Sequence, residues 1–220
     1  MTPEELRARV AERYARLDVP AWPDPHADTD SPRDDEYSRV TDPGRYRVTH
    51  ARGRAWAGVL GDLPGVSVET LAPAPLDDQG ELGRFDRGVR ISSSRPGTLP
   101  LLLLEQDAPL SGAAGTIAVL HISVARPGIA LAAHPDCGCD ACDQGSDDLL
   151  EAIDQEVATA LGPLVVLHGH GWNAQWHPGG SRSTGIDHDR AIDLCRRLAE
   201  GARVPLPAGT EVHVGRSWLS

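Results

Sequence analysis

The feature that most constrains this chain is a change of hydrophobic period in its middle. Apolar residues fall in five short runs, 66–71, 88–92, 99–105, 116–124 and 128–133, separated by Gly, Pro and Asp. Runs of this length, continuous or alternating at every second residue, read as strands. The gaps between them are too short for the crossover helix that a parallel pair needs. They predict an α+β fold built on a mostly antiparallel sheet of about five strands with flanking helices. In the run 116–124, Ile117, Val119, His121 and Ser123 face one way, and Ala118, Leu120, Ile122 and Val124 the other.

Helical spacing brackets these runs. Leu6, Val10, Tyr14 and Leu17 share one face of a helix predicted over 3–17. A second helix is expected from Asp42-Pro43, with Asp42 as cap and Pro43 at a position whose missing N–H costs nothing. Val48, Ala51, Ala55 and Val59 line its core face, beside Trp56. A third runs over about 147–161, capped by Ser146, with Asp147 and Asp148 at its positive end and Leu150, Ile153, Val157 and Leu161 inward. The residues 164–167 read as a buried strand and 171–185 as a Gly- and Ser-rich loop. A last helix near 188–200 is capped by Asp187 and stopped by Gly201, before a final strand at 211–214. Between the first two helices, Pro20, Pro23, Pro25 and Pro32 among Asp24, Asp28, Asp30, Asp34 and Asp35 mark a solvated linker. The expected organisation is an N-terminal helix and linker over 1–36 and one domain over 37–220.

A net charge of −11 argues against nucleic acid and anionic membranes as partners. All 21 basic residues are arginine, which excludes a lysine Schiff base or a P-loop lysine. The acidic start Met1-Thr2-Pro3-Glu4-Glu5 does not read as a signal peptide. No run approaches the roughly 18 apolar residues of a membrane span. A cytoplasmic, reducing setting is therefore expected, where clustered cysteines favour metal or redox work over disulfides.

Such a cluster is present in Cys137-Gly138-Cys139-Asp140-Ala141-Cys142. Three thiolates on one tight turn can wrap a zinc ion, with Gly138 relieving crowding between the first two ligands. A structural zinc wants four ligands. His134 is nearest, giving His-x-x-Cys-x-Cys-x-x-Cys, and His168, His170 and Cys195 are candidates through folding. The cluster lies where a strand ends and a helix begins, so a Cys-rich knot should pin sheet to helix. Two other readings stand beside zinc. Cys139-Asp140-Ala141-Cys142 has redox spacing before a helix, although Asp136, Asp140 and Asp143 should raise the thiol pKa values. The cysteines can also be small packing residues without a cofactor.

Two blocks, Tyr37-Ser38-Arg39-Val40-Thr41-Asp42-Pro43 and Pro135-Asp136-Cys137-Gly138-Cys139-Asp140-Ala141-Cys142-Asp143, resemble an uncharacterised actinobacterial family, a domain of unknown function. The resemblance covers residues 37 to about 160. It implies a bacterial cytoplasmic setting and brings no activity, fold or catalytic residue with it.

Other candidates are weaker. His168-Gly169-His170-Gly171 lacks the Asp and His that a His-x-His-x-Asp-His hydrolase needs next, and Asp187-His188-Asp189 fits a helix start. Trp172 and Trp176 read as edge packing or as a ligand-binding loop with His177, Gly179, Gly180 and Arg182. Cys195 shares a helix face with Ala191 and Leu198, as a small core residue would. Ser111-Gly112 and Ser181 lack the Gly-x-Ser-x-Gly turn of a serine hydrolase. Arg39, Arg45, Arg47, Arg52 and Arg54 read as a solvated basic face or a site for an acidic partner. The function these features favour is a zinc-stabilised protein that binds a protein or small-molecule partner without catalysis. The rivals are a metal-dependent enzyme using His168 or His170 with the cysteines, and a thiol redox protein.

Overall fold

The computed structural model describes residues 1–28, 31–77, 80–110 and 114–219. Ser111 and Gly112 lie outside the described residues. Among the described residues, four α-helices and eleven strands follow one another. They are α1 (Pro3–Tyr14), α2 (Val48–Gly61), β1 (Val66–Leu71), β2 (Ala74–Pro75), β3 (Arg84–Phe85), β4 (Arg87–Ser93), β5 (Leu101–Pro109) and β6 (Thr116–Val124). Then come β7 (Ala130–His134), α3 (Gly145–Leu161), β8 (Leu164–Gly169), β9 (Trp172–His177), β10 (Gly180–Thr184), α4 (His188–Ala199) and β11 (Glu211–Gly215).

The five runs of the middle form one sheet in the order β1-β4-β5-β6-β7, antiparallel throughout. Its inner face presents Ile91, Leu101, Leu103, Leu120, Ile122, Val124 and Leu131 to α1, α2 and α3 in the main core. Leu6 and Val10 are fully buried there, so α1 belongs to the same core as the sheet. The opposite face carries Leu102 and Leu104 against Leu76 and Phe85. The alternation in β6 therefore holds: Leu120, Ile122 and Val124 enter the main core, while Ile117 and Val119 pack with Tyr46 on the other side.

A second sheet, in the order β10-β9-β8-β11, corrects the expectation of a loop over 171–185. Those residues form a hairpin in which Trp176 pairs with Ser181 and Asn173 with Thr184. The signal was present as alternation of Trp172, Ala174 and Trp176, broken by the turn residues Pro178 and Gly179. In β8, Leu164 and Val166 face the main core, and Val165 and Leu167 face α4. Trp172 and Trp176 pack against that second core. The sheets meet where Gln175 Nε2 donates to the Ala130 carbonyl at 3.0 Å and Arg182 Nη2 donates to that of Leu131.

Several helix boundaries differ from expectation. α1 starts at a Thr2–Glu5 capping box and stops at Tyr14, so Leu17, expected on its core face, lies beyond the helix and is exposed. Asp42 makes no side-chain cap, since a short 3-10 turn, Pro43–Arg47, intervenes before α2. Ser146 lies inside α3, whose N-terminal residue is Gly145, and bonds to Trp22 instead of capping. Asp187 does cap α4, accepting from the Arg190 N–H at 2.9 Å. Among the described residues, no helix is long and apolar enough to cross a membrane.

The basic stretch is a solvated face only in part: Arg39, Arg47 and Arg54 are exposed, but most of its arginines are also spent on ion pairs. Arg52 is buried and paired with Asp154, Arg54 reaches Glu105, Arg45 reaches Asp143 and Arg39 reaches Asp140. Each of these carboxylates lies far along the chain, so the arginines fasten the elements that bear them to the segment 39–54.

Candidate metal centre

The cysteine segment leaves the end of β7 and enters α3. Cys139 precedes a 3-10 turn, Asp140–Cys142, and the Cys142 N–H donates to the Cys139 carbonyl at 3.1 Å. That turn folds the segment back on itself and brings Cys137, Cys139 and Cys142 Sγ within 4.8 Å of one another. Cys137 Sγ lies 3.2 Å from Cys139 Sγ. Sulfurs around a tetrahedral zinc stand roughly 3.8 Å apart, the edge set by bonds of about 2.3 Å. Cys139 is buried, whereas Cys137 and Cys142 are exposed at the surface.

Gly138 has a sharper role than spacing two ligands. A Cβ there would stand 2.1 Å from Ile117 Cδ1, so the loop rests directly on β6. Two carboxylates then latch the knot to the preceding chain. Asp140 accepts from Arg39 Nε at 2.7 Å, the Thr41 N–H at 2.8 Å and Thr41 Oγ1 at 2.5 Å, and its own N–H donates to the Arg39 carbonyl at 2.8 Å. Asp143 is buried, accepts the Trp22 indole N–H at 2.9 Å and pairs with Arg45 at 2.5 Å. Trp22 also exchanges hydrogen bonds with Ser146 in the first turn of α3. Gly145 leaves room for that crossing: with φ at +88°, its absent Cβ would stand 2.7 Å from the Asp24 nitrogen. The two sequence blocks that resemble an uncharacterised family are thus held together in space.

These latches change the electrostatics expected from the aspartates. Asp140 spends its charge on Arg39 and Thr41, and Asp143 on Arg45 and Trp22. Burial alone raises the Cys139 thiol. Hydrogen bonds from the Cys137 and Cys142 thiols and the Cys142 and Ala141 N–H groups outweigh it and hold Cys139 below the usual thiol value. Cys142, which gives its hydrogen bond to Cys139, is pushed up to about 12 by that bond, burial and the neighbouring thiols. Cys139 therefore gives up its proton more readily than an ordinary cysteine and Cys142 less readily, with the neighbouring thiols donating to Cys139.

His134 stands outside the group of converging sulfurs. It lines, with Cys137 and Cys142, a cleft of about 370 Å³ bordered by Asp148, Glu156 and Arg182. Its Nε2 is shielded from solvent and, among the described residues, has no hydrogen-bond partner. Burial pushes its pKa below the ordinary histidine value, opposed by Asp136 and assisted by Arg182.

The other histidines are elsewhere. His168 and His170 line a separate cleft with Asp77, Glu81 and Glu211, together with Gly128 before the start of β7. The cysteines follow the other end of that strand and line a different cleft, and neither histidine offers an atom to the converging ligand group. A site joining His168 or His170 to the cysteines is corrected on that ground. Cys195 is fully buried in α4 against Val165, Leu167 and Ala174, and burial pushes its thiol up to about 11. His188 Nδ1 lies 3.0 Å from Ser183 Oγ at the start of α4.

The fold and the site define an α+β protein, with sheets of five, four and two strands among the described residues, that carries a three-cysteine cluster able to hold a metal ion. Residues 10–220 match the profile of a family of unknown function, DUF6226, and the chain belongs to that family. No curated protein and no solved structure matches the chain significantly.

Proposed function

We propose that this is a zinc-stabilised cytoplasmic binding protein, in which Cys137, Cys139 and Cys142 hold the ion as thiolates and His134 supplies the fourth ligand. The observation that carries the reading is the convergence of three sulfurs in a loop whose backbone is already fixed by Asp140, Asp143 and the contact of Gly138 with Ile117. An orphaned buried nitrogen asks for a partner, and His134 Nε2 gains one by rotating towards the sulfurs. A zinc there ties β7, α3 and the segment 22–41 together, which is structural work. The cleft beside the knot then serves to receive a protein segment or a small molecule.

The test is stability under metal control. Chelation, or Cys139→Ser, should lower the denaturation midpoint and loosen the segment 22–41 in hydrogen exchange, and added zinc should restore the wild-type protein only. Equal stability with and without chelator under reducing conditions overturns the reading.

One observation favours a second reading. His134 is not among the converging ligand atoms, so a three-sulfur site keeps an open position of the catalytic kind. Cobalt substitution separates the two: an His134→Ala change alters the d–d spectrum if His134 ligates and leaves it unchanged if water does.

A further inference from the structure

Glu105 in β5 points to the α2 side of the first sheet and is buried. Arg54 holds both of its oxygens, Nε on Oε1 at 2.6 Å and Nη2 on Oε2 at 2.5 Å. Arg87 from β4 adds Nε on Oε2 at 2.8 Å and places Nη2 on Asp107 at 3.2 Å. His50 closes the inner side, with Nδ1 3.8 Å from Glu105 Oε2 and Nε2 on the Val119 carbonyl at 3.0 Å. The saturated carboxylate fixes two planar guanidiniums in orientation. Among the described residues, Nη1 of Arg54 and Nη1 of Arg87 bond to nothing, and the two side chains remain 60% and 54% exposed.

Beside them opens a cleft of about 440 Å³, of the size that accepts a small organic molecule. Its walls are mostly aliphatic. Besides Arg54, α2 contributes only Gly53 and Ala57, so the helix puts no bulky apolar side chain into the slot beside Leu71 and Val89, whose floor is the buried pair Leu103 and Leu120. The charged lining is Arg54 and Arg87 against Glu105 and Asp86, which balances. No surplus positive charge is left for a dianion, but unspent guanidinium N–H groups at the mouth of an apolar slot suit a single carboxylate. We propose that this cleft binds a small monocarboxylate with an apolar body, its oxygens on the outer edges of Arg54 and Arg87 and its body against Ala57, Leu71 and Val89. The site is separate from the cysteine cluster and does not depend on the metal reading.

The test is titration of the full-length protein with hexanoate, hexanol, hexylamine and inorganic phosphate, read by calorimetry and by amide shifts. Hexanoate should saturate and shift the amides of Ala57 and Val89, and the alcohol and amine should bind about tenfold or more weakly. Arg54→Gln should cost about tenfold or more, and Ala57→Leu, which fills the slot without touching the ion pairs, should abolish binding with the fold intact. If Arg54→Gln does not fold, Ala57→Leu decides. Absence of saturable binding, equal binding of hexylamine, displacement by phosphate, or unchanged binding in Ala57→Leu overturns the proposal.

Discussion

Replacing Asp154 by alanine removes the partner of three buried groups at once. Arg52 Nε donates to Asp154 Oδ1 at 2.8 Å and Nη2 to Oδ2 at 2.5 Å, and the Trp56 indole N–H donates to Oδ1 at 2.7 Å. The ion-pair side chains are 8% and 10% exposed, so neither finds water when the other is lost. Breaking a buried pair from one side costs about 3–5 kcal/mol, because a charge is left uncompensated. Leaving a buried indole N–H unpaired adds about 1–3 kcal/mol. The face of Tyr14, 5.1 Å from the Arg52 guanidinium, softens the total. Asp154→Ala should therefore lose roughly 4–6 kcal/mol. For a chain of this size, that lowers the melting temperature by roughly 10–20 °C. Urea denaturation followed by circular dichroism reads it directly. The double variant Arg52→Met with Asp154→Leu should recover most of the loss, since no buried charge remains. A loss below about 1 kcal/mol in Asp154→Ala would refute the claim that this pair fastens α2 to the helix carrying the cysteine knot.

Other consequences can be checked with similar means. Gly138→Ala should push the loop off Ile117 and cost about 1–3 kcal/mol, with weaker metal binding in a competition assay. Asp140→Ala removes the Arg39 and Thr41 latches and should weaken metal affinity about 10–100-fold, as loss of outer supports does elsewhere. Acid should act through His121, whose pKa burial, aided by His50, pushes down to about 4. The unfolded histidine takes its proton near 6.5 and the folded one does not until about 4, so stability present at pH 7 is lost as pH falls between them, by about 3 kcal/mol. The depressed carboxyls of Asp140 and Glu105 act in the same sense lower down, present above the unfolded carboxylate value and lost through their folded ones. His121→Gln should flatten the upper part of that profile in urea midpoints measured from pH 7 to 4.

Much of the fold was legible because its signals are local. The runs 66–71 and 116–124 coincide with β1 and β6, and the helices carry most of their apolar stripes, Leu17 excepted, and, for α4, its cap. The hairpin of β9 and β10 escaped because Gly and Ser weigh against a strand, although the tryptophan alternation stood within it. The capping errors at Asp42 and Ser146 arose because a cap is settled by what the side chain reaches, and Ser146 reaches Trp22, 124 residues away. The same distance hid the arginine pattern: Arg39, Arg52 and Arg54 find carboxylates 101, 102 and 51 residues on, which no spacing rule reveals. In the candidate site, spacing was enough for the three sulfurs, since six residues and one turn bring them together. It was not enough for His134, whose place depends on how β7 ends, nor for the latches that quiet Asp140 and Asp143.

The most direct measurement of the central claim is elemental analysis with zinc-edge X-ray absorption on protein purified under reducing conditions without added metal. One zinc per chain, with three sulfurs at about 2.3 Å and one nitrogen at about 2.0 Å, is the predicted result, lost in Cys139→Ser. A chain that carries no zinc, and takes none up when zinc is supplied, contradicts it.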